Sequence, residues 1–355
     1  MRISWQTLGM IAALAVIMLV FTAATNGTFL SPRNLSLLSR QMAVTGIVAS
    51  GMVLLIVAGQ IDLSAGAVAG LCGAVAALLA VNAGFSVPLA CAAALGVGAA
   101  LGACQGWLVA SLNIPPFIVT LGGMLIFQGI LLGLTRGVAI APPAEFLAIG
   151  QNYVPPFWTW ALAAALAAGA LWRGPSLGWL KAGGMAALAL GLATLFNAYE
   201  GLPVPVVLML LTATVFWVIA AHTPFGRHLY AIGGNREAAF YAGIPIRSRI
   251  VLAFTLMGAV SAAAGLVLCA RVGAATADAG KMLELDAIAA AVIGGTSLMG
   301  GRGAVWGAIL GAAITASLDN GMSLLNTEAF WQPIIKGAIL IAAVCADIAL
   351  RKRRS

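Results

Sequence analysis

"PVPVVLMLLTATVFWVIAAHTPFGRHLYAIGGNREAAFYAGIPIRSRIVLAFTLMGAVSAAAGLVLCA" (residues 203–270) sets two long apolar runs on either side of a short polar island. Each run can carry a helix across a bilayer, which takes about 20 mostly apolar residues. In hydrocarbon the backbone must satisfy its own hydrogen bonds, so helices are expected there. The island between them then sits in water on one side. The rest of the chain repeats this pattern. Hydrophobic residues are 62% of it and charged residues 8%, against about 25% charged in soluble domains. The mean hydropathy is +1.05. Such a chain cannot cover a water-facing surface, which excludes a soluble enzyme or a soluble binding module.

Twelve apolar runs are long enough to count: 7–24, 41–59, 64–82, 87–111, 116–134, 155–172, 178–197, 203–221, 250–270, 284–299, 303–320 and 332–350. They predict an all-α polytopic membrane helix bundle of about 12 spans, one transmembrane domain over 1–355. The 43 glycines and many alanines fit this class, because small residues let helix backbones approach closely in lipid. Residues 58–78 and 294–314 echo each other: a glycine-bounded turn leads into a small-residue helix, as in transporter repeats. The five cysteines lie inside apolar runs and read as small buried hydrophobes.

Charge sets the expected orientation. The tail "RKRRS" and the segment 222–249 are the densest basic patches, and four runs separate them. They therefore share a side, which also collects Arg2, Arg173, Lys181 and Arg302, and so 12 of the 18 basic residues. The excess of Lys and Arg marks that side, with both termini, as cytoplasmic. The net charge of +8 is thereby explained without nucleic acid.

The island itself reads as a short helix over about 235–243. Asn235 is a good N-cap and Glu237 suits the first turn. Ala238 and Ala239 favour helix, and Gly243 before Pro245 stops it. So short a helix is marginal alone and must lean on a neighbour. Asn235 to Gly243 is thus either an ordinary capped loop or a docking helix for a partner.

The segments 222–250, 284–312 ("ELDAIAAAVIGGTSLMGGRGAVWGAILGA") and "GQIDLSAGA" (59–67) together resemble the permease subunit of bacterial ABC importers for simple sugars, of the ribose/xylose type. The resemblance implies a coupling helix that sits in a cleft of a separate ATPase. Gly233, Asn235, Ala238, Ala239, Gly243 and Ile244 fall on its pattern, with Glu237 among them. It further implies an ATPase holding ATP and Mg, a periplasmic sugar-binding protein, a second permease copy and an inner-membrane location. Ribose-type permeases have about ten spans, so the apolar pair at 155–197 resembles the longer xylose-type members.

The chain shows no phosphate loop of its own: Gly280-Lys281 is followed by Met282 and lacks the hydroxyl. No cofactor is therefore expected in this chain. Asp62 can cap a helix starting at Leu63 or Ser64, and Asp286, Asp319 and Asn320 stand at ends of apolar runs. Acids inside such runs are either caps or parts of a translocation path. Asn113, Thr120 and Gln128 could hydrogen-bond a neutral sugar. Branched-chain amino acids or nucleosides remain alternative substrates, and a proton-coupled carrier is the alternative mechanism.

Overall fold

The computed structural model describes residues 5–328 and 330–352, so the predicted basic positions Arg2, Arg353 and Arg354 lie outside the described residues. The order of helices is α1 (Trp5–Ala24), α2 (Pro32–Val57), α3 (Ala65–Val81), α4 (Val87–Ser111), α5 (Pro116–Thr135), α6 (Ala144–Gln151), α7 (Pro156–Trp172), α8 (Gly174–Leu177), α9 (Trp179–Asn197) and α10 (Val204–His222). It continues with α11 (Pro224–Gly234), α12 (Arg236–Tyr241), α13 (Ile246–Val272), α14 (Leu283–Ile293), α15 (Val305–Leu324) and α16 (Trp331–Lys352). Two short strands, β1 (Tyr153–Val154) and β2 (Leu202–Pro203), pair antiparallel.

The bundle is built around α2, which is buried along most of its length and touches α10, α13, α14 and α15. Ser31 caps its first turn by accepting from the Asn34 N–H, and Pro32 fits the first helical position, where no donor is needed. The side chain of the same Asn34 exchanges two hydrogen bonds of 2.8 and 3.0 Å with Asn320, tying α2 to α15. The most extensive helix contact is α13 against α4. Gly258 and Gly98 meet backbone to backbone, and Gly102 rests on the Phe254 carbonyl. This is the small-residue packing that lipid requires, since lipid tails offer no hydrophobic drive between helices.

Each of the 12 apolar runs contains a helix, but residues 284–299 do not make a straight span. They yield α14, 11 residues long, or about 16 Å at 1.5 Å per residue, against a hydrocarbon core of about 30 Å. The irregular segment 273–282 leads into α14. Gly280 lies against Gly66, and Ala279 against Gly70, at the start of α3. Since Ala69 in turn packs on Gly265, α3 begins near the mid-length of α13. Both α3 and α14 thus start deep in the bundle, preceded by irregular backbone. Such backbone is tolerated at membrane depth only where protein or a water-filled cavity receives it. The echoing segments 58–78 and 294–314 are both turns leading into a helix, α3 and α15 respectively.

The pair α7 and α9 forms a separate hairpin. Alanines at 163, 167 and 170 face alanines at 182, 186 and 193, so the small faces are used on each other. Leu162, Leu166, Leu188 and Leu192 are left exposed or along an apolar cleft of about 530 Å³ between hairpin and body. Two cysteines depart from the expected burial: Cys104 and Cys345 are exposed, while Cys72 and Cys269 are buried. A residue facing lipid is as apolar in its surroundings as one in the core, so composition alone does not separate the two.

Candidate functional site

The polar island folds into two helices rather than one. Thr223 caps α11 by accepting from the Gly226 N–H at 3.2 Å. Asn235 ends α11 in an extended conformation and at once caps α12, its Oδ1 accepting from the Ala238 N–H at 2.9 Å. The helix is shorter than the expected 235–243: Ala242 is its C-cap, and Gly243 follows at φ +76°. That left-handed turn lets Gly243 and Ile244 return their N–H groups to the Phe240 and Ala239 carbonyls, a closure that glycine makes at little steric cost.

Within α12, Ala239 faces inward and is buried, whereas Arg236, Glu237 and Ala238 are exposed. Beside them Phe240 and Tyr241 stand out, 67% and 79% exposed, with their rings edge to face at 5.8 Å. Large aromatics on a six-residue polar helix are not needed for folding. An open cleft of about 750 Å³ adjoins them, walled by Asn113, Arg236, Glu237, Phe240, Ile244 and Arg247 among others. Asn113, one of the residues that could hydrogen-bond a sugar, lies here, in a left-handed turn (φ +53°) just after α4.

Gly233 does not face outward with α12. It rests on the Val57 carbonyl and the Gly300–Gly301 turn, and any Cβ there would overlap the carbonyl oxygen. The Gly301 N–H donates to that same Val57 oxygen at 2.8 Å, and the Tyr230 hydroxyl donates to the Gly303 carbonyl at 2.8 Å. Burial raises the Tyr230 pKa, which keeps the phenol protonated as a donor. The island is therefore braced against the end of α2 and the α14–α15 turn.

The acids lie in two places. Asp62 is not the helix cap the sequence suggested, because α3 begins at Ala65 with Ser64 at its N-cap. Asp62 is buried in the turn before it, accepting from the Ser64 N–H at 2.8 Å and its hydroxyl at 2.6 Å. Ser64 bonds onward to Gln105 of α4 at 2.9 Å. Asp62→Asn keeps an acceptor for the Ser64 N–H, so a folded yield and uptake near the parent are expected. Asp62→Ala leaves the buried Ser64 N–H without its acceptor and should lower local stability by about 1–3 kcal/mol, measured as yield and thermal unfolding in detergent. A dead but folded Asp62→Asn would reveal chemistry beyond holding this turn.

Asp286 lies elsewhere, in a group with Lys336 and Asp319. The lysine ammonium sits 2.9 Å from Asp286 and 2.8 Å from Asp319, joining α14, α15 and α16. Nearby, Lys281 pairs with Asp278, both exposed. Gln128 is half-buried on α5, in neither group. Neither Lys336 nor the aromatics of α12 were singled out by the sequence. Lys336 sits in a run that reads as a span, and only its two distant acids mark it. Charged groups at membrane depth face protein or water rather than lipid. Asp278, Lys281, Asp286 and Lys336 give this part of the bundle a charged surface.

The family model for the permease component of branched-chain amino acid transport systems matches residues 34–344. The xylose transport system permease protein XylH of Escherichia coli (strain K12) is 46% identical, over 98% of this chain and 93% of its own length. The same-named protein of Haemophilus influenzae is 42% identical over 99% and 98%. The ribose import permease protein RbsC of Bacillus subtilis is 36% identical over 93% and 89%. No solved structure matches. The matched span takes in the core helix, the braced island and the charged surface alike, so the chain belongs to the family of permease components of branched-chain amino acid transport systems.

Proposed function

We propose that the chain is the transmembrane subunit of an ATP-driven importer for a monosaccharide, a pentose such as xylose. It is a transport component, not an enzyme. The observation that carries this is α12: a capped helix, braced by Gly233, that offers exposed aromatics over an open cleft. That is a surface prepared for a partner, and the partner is an ATPase that binds ATP and Mg. Arg236, Glu237, Ala238, Phe240 and Tyr241 would meet it, while Asn235 and Gly243 set the helix ends and Ala239 and Ile244 seat it. The brace would pass movement from α12 to α14 and α15. A periplasmic sugar-binding protein delivers the substrate on the opposite side.

The charged surface around Asp286 supports a second copy of the subunit, with the translocation path between the two. In that assembly α12 and both termini are cytoplasmic and the membrane is the bacterial inner membrane. The similar permeases named for xylose and ribose favour a sugar over a branched-chain amino acid. A proton-coupled carrier is disfavoured because Asp62 is already engaged by Ser64 and Asp286 by Lys336.

The test is reconstitution in proteoliposomes with the ATPase and the binding protein. Xylose uptake should require ATP and survive a protonophore. Gly243→Val places a β-branched residue where φ is positive, so it should insert and bind lipid normally yet lose most uptake. Uptake at the parent rate in Gly243→Val would remove the coupling role from α12, and uptake that follows the proton gradient despite ample ATP would overturn the importer reading.

A further inference from the structure

A cavity of about 160 Å³ lies between α2, α13, α15 and the 278–286 segment, walled by Thr45, Arg271, Asp278, Lys281, Asp286 and Asp319 among others. Arg271 is in the last turn of α13, so the cavity sits toward the end of the bundle remote from α12. Its charges balance. Asp278, Asp286 and Asp319 stand against Arg271, Lys281 and Lys336, the last reaching the wall through its two ion pairs. An ion entering it would meet no net counter-charge.

Two wall atoms are buried without a hydrogen-bond partner: Oδ1 of Asp319 and Nε of Arg271. An ionised carboxylate only accepts and a guanidinium only donates. Leaving either unmet when buried is costly. A ligand that satisfies both carries donors and acceptors and no net charge; a polyhydroxylated molecule and a zwitterionic amino acid both meet this, and the importer reading selects the former. The volume suits one sugar ring.

We infer that this cavity is a weak binding site for a neutral monosaccharide within the permease itself, with Arg271 donating to one sugar hydroxyl and Asp319 accepting from another. The inference rests on the importer reading for its choice of ligand. It places a sugar contact inside the subunit, where the substrate would pause after release by the binding protein.

The test uses the purified permease–ATPase complex without the binding protein, with D-xylose as the probe, followed by saturation-transfer NMR. Xylose should receive saturation, and D-xylonate, which is anionic, should not. Arg271→Gln should weaken xylose binding about tenfold, the scale of one lost hydrogen bond to a charged group. Because Arg271→Gln could disturb folding, Thr45→Leu serves beside it: it fills the cavity while leaving every ion pair in place, and it should also abolish the signal. No transfer to xylose in the parent, equal transfer to xylonate, or a signal that survives both substitutions would overturn the site. Failure of the importer reading would show differently, as absent ATP-driven uptake by the parent complex whatever the NMR result.

Discussion

Gly258→Val is expected to abolish accumulation of folded permease, the largest effect of any single substitution considered. A Cβ at Gly258 would overlap the Gly98 carbonyl oxygen and crowd the Gly102 Cα, and both are backbone. A flexible side chain could turn aside, but a helix backbone cannot. Overpacking a well-filled core costs about 1–3 kcal/mol, and separating two helices along their main contact should exceed that range. The check is fluorescence-detected size exclusion of the detergent extract, with Gly122→Val as the control, since nothing lies within 4 Å of a Cβ there. A monodisperse Gly258→Val peak at parent height would show that α4 and α13 are not held by this contact.

Lys336→Met should be nearly as damaging, for an electrostatic reason. Removing the ammonium leaves Asp286 and Asp319 facing each other with no cation between them. Breaking one partner of a buried ion pair costs about 3–5 kcal/mol; Lys336 is about a quarter exposed, so the lower end of that range applies. Thermal unfolding in detergent should drop clearly. Adding Asp319→Asn to Lys336→Met removes one of the stranded charges and should recover part of the loss. Equal stability of the single and double variants would mean that the three groups do not act as a network.

The sequence disclosed the helices better than the site, because the two depend on different information. An apolar run is local: the stretch 203–270 already contains α10, α11, α12 and α13 in order. Where a helix starts within such a run is less local. Residues 284–299 looked like a span because glycine and alanine are apolar wherever they lie, and nothing in them shows that 294–299 turn back. The resemblance located α12 by its glycines and alanines, and so passed over Phe240 and Tyr241, which the structure leaves facing outward. Gly233 belonged to the same pattern, but its role is to let α11 touch Val57, a contact 176 positions away in the chain. Lys336 joins acids 50 and 17 residues distant. No spacing rule connects these three, because helix packing and not helix period brings them together.

The small strand pair beside α7 and α9 changes what kind of insertion that hairpin is. Tyr153 stands opposite Pro203 and Val154 opposite Leu202, so the chain enters and leaves the hairpin side by side, about 5 Å apart. An excursion whose two ends already touch asks nothing of the framework that carries it. It adds one helix out and one back, so every later helix keeps its direction. The framework can therefore hold or lack the hairpin much as a book holds a folded leaf, with the pages after it still facing the same way.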